Sequence, residues 1–351
     1  MISWRQGTVG RLGREWPGAV ELEVETDDGR LPALAYPLLV GRPQAGDRVL
    51  LNTTAFDLTL GTGGYALVVA LPDRLPPDRA EPGHLVKARY TPLQVVVLGV
   101  DEPAAPSHAV IAAADSIDGM PVVVADLHSA LPAVVAGVLA DRPEVRIAYL
   151  MTDGGALPLW FSRTVAALGD RLCGTVTVGQ AFGGDLEAVT LYTGLLAARH
   201  VLRADVAVVA QGPGNLGTAT RWGFSGVAAG EAINAVAALG GRPVAALRLS
   251  EADPRERHRG VSHHSLTAYG RVALARADVV LPAPMGDWLR AEVAALASRH
   301  ALVTVPTDGL VEALRALPVE LTTMGRGLDD DLSYFLAGAA AGRHAAALLE
   351  P

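Results

Sequence analysis

From Thr91 onward, short apolar segments alternate with longer helical segments. Strands that are buried on both faces of a parallel sheet are almost continuously apolar, and their alternation with helices is typical of α/β proteins. Right-handed crossovers between such strands predict a doubly wound, Rossmann-like, mostly parallel sheet. The predicted strands are LQVVVLGV, PVVVADL, VRIAYLM, GTVTVGQ, DVAVVAQ, PVAALRLS, DVVLPAP and LVTVPTD.

The first part of the chain has a different pattern. Short runs such as AVELEVET, DRVLLNT and YALVVAL are separated by Gly- and Asp-containing turns. Closely spaced strands of this kind indicate a small β-barrel or sandwich. The segment Leu71–Gly83 is rich in proline and charge and is typical of a linker. We therefore expect a small all-β, barrel-like domain with its linker at 1–83, and a Rossmann-like α/β domain carrying the site at 84–351.

Composition excludes several function classes. The formal net charge is -8, and the longest run of like charge is Asp329–Asp331, so we expect neither nucleic acid nor a membrane as partner. Lys87 is the only lysine, which excludes a Schiff-base lysine for pyridoxal phosphate and a phosphate-loop lysine in the second half. Cys173 is the only cysteine, which excludes intrachain disulfides and multi-cysteine zinc sites.

The expected setting is the cytoplasm, because MISWRQGTVGRLG lacks an apolar signal core and the single cysteine fits a reduced compartment. A homodimer is a further expectation, since homodimers are common and the Ala-rich helices offer apolar surface.

Reactive residue types follow the predicted strands rather than precede them. In open α/β sheets, ligands bind beyond the carboxyl ends of the strands, so these residues predict one composite site. The residues, in strand order, are Asp126 and His128; Asp153; Gly183, Gly184 and Asp185; Gly212, Gly214, Asn215, Gly217 and Thr218; and finally Arg255, Arg257, His258, Arg259, His263 and His264.

The histidines and carboxylates are the candidates for chemistry. Imidazoles transfer protons near neutral pH and bind divalent metals. The predicted catalytic residues are His258, His263, His264, Asp126 and His128. A divalent metal is a possible cofactor, with Asp126, His128 and Asp185 as hypothetical ligands. Other interpretations are a structural Asp126–His128 hydrogen bond and a helix N-cap at Asp185.

The remaining residues predict ligand binding. Arg255, Arg257 and Arg259 offer guanidinium groups that suit phosphate or carboxylate. The loop 212–218, with Gly183, Gly184 and Asp153, would bring backbone N–H groups close to an anion, or would simply form strand-to-helix turns. The chain has no Gly-x-Gly-x-x-Gly dinucleotide fingerprint in the required register, so a nicotinamide cofactor is not predicted.

Seven motifs together resemble an uncharacterised bacterial family, a domain of unknown function found in Actinobacteria and Firmicutes. They are GTGGYALVVA, GHLVKARYTPLQ, DLHSALPAV, TDGGALP, AFGGDLEAV, GPGNLGTAT and RERHRGVSHHS, and they extend from Gly61 to about Val272. The resemblance implies an intracellular bacterial protein and brings no activity or catalytic assignment.

Two functions remain open from the sequence. The first is a hydrolase or group transferase that acts on a small anionic metabolite, such as a phosphorylated or nucleotide-like molecule, at the carboxyl edge of the sheet. The second is a non-catalytic metabolite sensor or assembly protein that uses the same residues for binding alone.

Overall fold

The computed structural model describes residues 1–61, 63–78, 82–284 and 287–350. Thr62, in the first motif, and residues 79–81 of the predicted linker lie outside the described residues. No described helix combines the length and the apolar character that crossing a membrane requires.

The N-terminal segment forms a closed five-stranded barrel, as predicted. Its strands pair in the order β1-β2-β3-β5-β4, with β4 returning to β1, and the interior holds Val, Leu and Ala side chains. Its elements are β1 (Trp4–Trp16), β2 (Ala19–Thr26), β3 (Gly29–Ala35), α1 (Pro37–Val40), β4 (Arg48–Asn52), α2 (Thr54–Asp57) and β5 (Ala66–Ala70).

The second part is an eight-stranded, all-parallel sheet, which confirms the predicted class. Its strands are β8 (Pro121–Val124), β9 (Ile147–Thr152), β10 (Gly174–Thr177), β11 (Leu186–Glu187), β12 (Val206–Gln211), β13 (Arg242–Ala245), β16 (Asp278–Ala283) and β17 (Ala301–Pro306). Three small antiparallel pairs lie outside it: β6 (Leu85–Lys87) with β7 (Val95–Val97), β14 (Leu249–Ser250) with β15 (Gly260–Val261), and β18 (Thr322–Thr323) with β19 (Arg326–Gly327).

Helices cover both faces of the sheet. They are α3 (His108–Ala113), α4 (Leu131–Asp141), α5 (Arg163–Leu168), α6 (Leu191–His200), α7 (Ala228–Ala238), α8 (His263–Thr267), α9 (Asp287–Val293), α10 (Leu310–Arg315) and α11 (Leu332–Ala347). One core contains residues of α6, α7 and α9, and the other contains residues of α4, α10 and α11.

The strand order β11-β10-β9-β12-β8-β13-β16-β17 places a topological switch between β8 and β12. The chain leaves β8 through α4 towards β9, and it leaves β12 through α7, on the opposite face, towards β13. Adjacent strands whose connections diverge in this way open a crevice at their carboxyl ends, where ligands bind in this class of fold. On the neighbouring side, the Tyr269 hydroxyl donates to the carbonyl oxygens of Val124 and Ala246, which joins the ends of β8 and β13.

The contact between α4 and α11 depends on glycine. A Cβ atom at Gly137 would lie 1.8 Å from the carbonyl oxygen of Ala339, and one at Gly342 would lie 2.0 Å from that of Val134. The two helix backbones therefore touch directly, which requires residues without side chains at both positions.

Two local predictions are wrong. The segment LQVVVLGV does not form a strand of the parallel sheet, because β7 pairs with β6 in an antiparallel hairpin, and only Gly99 makes an isolated parallel bridge to Glu187 of β11. The helix expected from Asp185 begins only at Leu191, where the Thr190 hydroxyl accepts from the Thr193 N–H. Leu186 and Glu187 instead extend the sheet beside β10, so Asp185 is not a helix N-cap.

Candidate metal centre

Three histidines meet in the segment that follows β13. Ser262 caps α8 by accepting from the backbone N–H of His264, which places His263 and His264 in the first turn of that helix. His258 ends a short 3-10 turn, and its Nδ1 lies 2.7 Å from the Ser262 hydroxyl. One serine therefore orients residues from both sides of the cluster.

The three imidazoles each present one nitrogen towards the others, and these atoms all lie within 4.8 Å of one another. The ring centroids are 4.5–5.0 Å apart. Nε2 of His263 is buried and has no hydrogen-bond partner among the described residues. The hydrogen bonds of His258 and His264 use Nδ1, so neither bond involves Nε2, the nitrogen that a metal ion would take.

His264 is fixed on three sides. Its ring stacks on Phe224 with centroids 3.7 Å apart and an interplanar angle of 4°. Its Nδ1 lies 3.4 Å from Asp126 Oδ2 and 3.1 Å from Arg248 Nη1. Asp126 and Arg248 are both buried, so the ring faces a carboxylate and a guanidinium away from bulk water.

Burial and positive charge keep two of these rings neutral. Desolvation, together with Arg248, Arg255 and His264, lowers the pKa of His258 to about 3. Desolvation, His264 and nearby arginines lower the pKa of His263 to about 4. Both rings therefore carry a free lone pair at pH 7, which is the form that binds metal ions.

The predicted anion-binding arginines divide into two groups. Arg255 forms two hydrogen bonds with the buried carboxylate of Asp253, at 2.9 and 2.8 Å, so it is not free for a ligand. Burial opposes the ionisation of Asp253. The hydrogen bonds and the positive charge of Arg255 outweigh this effect and hold the pKa of Asp253 well below its usual range. Arg257 and Arg259 flank His258 and are exposed.

His128 lies apart from the three clustered rings. Its Nδ1 is 2.9 Å from the Tyr149 hydroxyl, and its Nε2 is 2.7 Å from the Ser162 hydroxyl. Both ring nitrogens bond other residues, so the structural Asp126–His128 hydrogen bond that the sequence left open is not formed. Burial lowers the pKa of His128 to about 4.

The structure does not bring the predicted ligand set Asp126, His128 and Asp185 together. The Asp185 carboxylate accepts from the Thr175 backbone N–H and hydroxyl on β10. Three inter-strand steps separate β10 from β8, which corresponds to a distance of roughly 14 Å.

The predicted binding residues Gly183 and Gly184 lie beside Asp185. They line a cleft of about 710 Å³, which Trp160 also lines. Asp153 is exposed and accepts from the Gln180 N–H.

The loop 212–218 forms its hydrogen bonds with neighbouring segments of the chain. The N–H of Gly212 donates to Thr152, and that of Thr218 donates to Gly223. Asn215 accepts from the Gln211 side chain, the Ser225 hydroxyl and the Gly226 N–H. Gly214, at φ +90°, lines a second cleft of about 300 Å³ beside His128, whereas Gly217 pairs with Phe224 in an isolated bridge.

Sequence reasoning missed Arg248, Asp253, Tyr149 and Ser162, and it offered Ser262 only as a possible hydroxyl nucleophile by position. Arg248 and Asp253 lie in the same strand exit as the predicted histidines, so their position alone was a signal. Ser262 precedes a short helix, as N-cap residues do. Nothing in the sequence links Ser162 or Tyr149 to His128, because those contacts cross between strands.

The comparisons agree with the resemblance noted above. The family model described as "Protein of unknown function (DUF3866)" matches residues 32–342, a wider range than the seven motifs. Neither a curated protein nor a solved structure matches the chain. The chain therefore belongs to the DUF3866 family of proteins of unknown function.

Proposed function

We propose that this protein is a metal-dependent enzyme that hydrolyses a small anionic metabolite, with His258, His263 and His264 as ligands of a divalent ion. The observation that carries the proposal is the convergence of three imidazole nitrogens within 4.8 Å. Such a set, with one position left for water, is the ligand pattern of catalytic zinc sites.

The donor set fits a first-row transition ion. Imidazole nitrogen suits Zn²⁺, Ni²⁺ or Fe²⁺ better than Mg²⁺ or Ca²⁺, which prefer oxygen. Tetrahedral coordination at Zn–N distances of about 2.0–2.1 Å requires nitrogens about 3.3 Å apart, so the rings have to close by roughly 1.5 Å at most. The buried Nε2 of His263, which has no partner among the described residues, supplies an uncommitted lone pair for this purpose.

The surrounding residues support the ligands in the way that outer-shell groups do. Ser262 holds His258 through Nδ1, and Asp126 faces Nδ1 of His264. Partners of this kind fix the tautomer and the orientation of a coordinating ring. A role in orienting His264 thus gives a reason for the buried carboxylate of Asp126, whose Oδ2 has no hydrogen bond among the described residues.

A bound ion of this class lowers the pKa of its water to about 7, which supplies a nucleophile near neutral pH. Arg257 and Arg259, exposed on either side of His258, would hold a phosphate or carboxylate group of the substrate. In the reaction, water gives its hydroxyl to the electrophilic phosphorus or carbon, and its proton ends on the leaving oxygen. No other reactant is needed.

The test combines metal binding with turnover. Chelator-stripped protein is titrated with Zn²⁺, Ni²⁺ and Mn²⁺ by calorimetry, and the loaded protein is assayed on phosphorylated metabolites and nucleotides. We expect one tightly bound ion per chain and turnover that His263→Ala abolishes. His84→Ala serves as the control. His84 is an exposed histidine that pairs with Glu102, outside the cluster, and its loss should change neither metal binding nor turnover. Absence of turnover across the panel in fully loaded protein contradicts the enzymatic role.

A non-catalytic role has one observation in its favour. The cleft of about 710 Å³ lies beside the outer strands and is lined mainly by apolar residues such as Leu159, Val165 and Phe182. Pockets of this size and character bind small molecules. A metabolite that raises the melting temperature without being converted would favour this sensor function.

A further inference from the structure

Ser162, His128 and Tyr149 form a second chain of hydrogen bonds, separate from the three clustered histidines. The Ser162 hydroxyl lies 2.7 Å from His128 Nε2, and His128 Nδ1 lies 2.9 Å from the Tyr149 hydroxyl. The Tyr149 hydroxyl also lies 3.3 and 3.2 Å from the carbonyl oxygens of Ala210 and Gln211. All three side chains are buried.

The two carbonyls determine the direction of every proton in this chain. A carbonyl oxygen only accepts, so the Tyr149 hydroxyl donates towards Ala210 and Gln211. Its lone pair then accepts from His128 Nδ1–H, which leaves Nε2 without a proton. Nε2 must therefore accept, and the proton that it faces is that of the Ser162 hydroxyl.

This arrangement is that of an activated nucleophile. A hydroxyl within hydrogen-bond reach of a base, with the base oriented by a third group, is the common feature of nucleophilic catalytic sites. Ser162 also caps α5 by accepting from the Val165 N–H at 3.0 Å. The cap uses an oxygen lone pair and leaves the O–H for His128, so the two roles are compatible.

The residues also have access to space. Ser162 and His128 both line the cleft of about 300 Å³, together with Gln211 and the loop 212–215 at the crevice between β8 and β12. Leu127, Phe161 and Met324 form the apolar part of the wall of this cleft, and Arg163 and Glu320 also line it. An uncharged acyl group suits the apolar part of the wall better than a phosphate does.

We infer that Ser162 is a catalytic nucleophile for small esters, with His128 as its general base and Tyr149 as a positioning residue. Ser162 Oγ attacks the acyl carbon while its proton passes to His128 Nε2. The alkoxide leaves with that proton, and an acyl-serine remains. Water then adds to the acyl carbon, returns a proton to Ser162, and the products are the acid and the alcohol.

The experiment treats the full chain with a fluorophosphonate probe and with p-nitrophenyl acetate, and locates the adduct by peptide mass spectrometry. We expect labelling at Ser162 that survives removal of metal by a chelator, so this result is independent of the histidine metal centre. His128→Asn should slow labelling by roughly 100-fold, the size of a typical general-base contribution.

Two matched variants separate chemistry from structure. Ser162→Asn keeps a good N-cap residue for α5 but removes the nucleophile, so it should fold and fail to label. Tyr149→Phe should slow labelling and shift its pH profile, whereas Tyr334→Phe, which removes an equally buried hydroxyl bonded to Ser129, should lower stability alone. An unlabelled Ser162 in wild-type protein, or labelling that His128→Asn leaves unchanged, overturns the inference.

Discussion

Nδ1 of His264 lies 3.4 Å from Oδ2 of Asp126 and 3.1 Å from Nη1 of Arg248, so one ring nitrogen faces both an acceptor and a donor. A guanidinium cannot accept a hydrogen bond, and an ionised carboxylate cannot donate one. The tautomer of His264 therefore selects between them. With the proton on Nδ1, the ring pairs with Asp126 and turns a bare Nε2 towards the other histidines. With the proton on Nε2, the ring accepts from Arg248, and Nε2 has to lose that proton before it can bind a metal ion.

Asp126→Asn should weaken metal binding without removing a ligand. The neutral amide no longer favours a proton on Nδ1 of His264, and outer-shell changes of this kind cost about 10–100-fold in affinity. The measurement is a competition titration of Zn²⁺ against a chelator. Asp185→Asn, the same change at the carboxylate beside β10, should leave the affinity at the wild-type value. Equal losses in both variants would contradict the role given to Asp126.

Asp253→Asn should destabilise the fold. Asp253 is fully buried and contacts Arg255 at 2.8 Å, Arg326 at 3.2 Å and Arg248 at 3.9 Å. Loss of its charge removes the carboxylate that pairs with Arg255, and it leaves Arg326 with Asp331 alone and Arg248 with Asp126 alone, at a cost of about 3 kcal/mol in the free energy of unfolding. Urea denaturation measures it. Asp329→Asn, in an exposed pair with Arg315, should change this free energy by less than about 1 kcal/mol.

The acid stability of the protein should depend on His128. Its pKa is about 4 in the folded state, because burial disfavours the charged ring, against about 6.5 in the unfolded chain. Well above pH 6.5 the His128 ring is neutral in both the folded and the unfolded state, so it does not change the free energy of unfolding. Between pH 6.5 and 4 only the unfolded state takes up the proton, so the folded state loses up to about 3 kcal/mol.

This pH effect can be isolated with one variant. His128→Asn removes the titrating ring and leaves His258 and His263, which act in the same direction, in place. The free energy of unfolding, measured from pH 7 to 4, should decline less steeply in the variant. Parallel curves for the two proteins would show that His128 is accessible to protons in the folded state.

Gly342→Ala should push α4 and α11 slightly apart and lower the stability of the fold. The added methyl group would lie 2.0 Å from the Val134 carbonyl oxygen, and a backbone cannot yield as a side chain can. Overpacking of about 3 kcal/mol, less about 1 kcal/mol gained in helix propensity, gives a net loss of about 2 kcal/mol. Thermal unfolding measures it, and Gly61→Ala, with nothing within 4 Å, should be neutral.

The parallel sheet was predictable because its strands are rich in Val, Ala and Leu, and burial on both faces favours an apolar composition. The hairpin of β6 and β7 was not, since VVV has the same composition whether it pairs in a central sheet or at an edge. Two-residue strands such as β14 and β18 carry too few residues for any periodicity.

Part of the site was also predictable. His258, His263 and His264 are close in sequence, so a short turn and a cap suffice to bring them together. His128 follows Asp126 by two residues, but the 3-10 turn that begins at His128 directs its ring towards Ser162 instead. The loops that follow different strands become neighbours only through the order of the strands in the sheet. That order is set by long-range pairing, which local sequence does not encode.

Lys87 is buried at 2% exposure, where its ammonium group donates to the carbonyls of Ala181 and Ala188 and lies 3.5 Å from Glu187. Since it is the only lysine, the folded protein offers no accessible side-chain amine anywhere in the chain. An amine-directed reagent would thus modify the folded molecule only at its α-amino group. Modification of Lys87 would report, residue-specifically, each opening of the β6–β7 hairpin from the edge of the sheet.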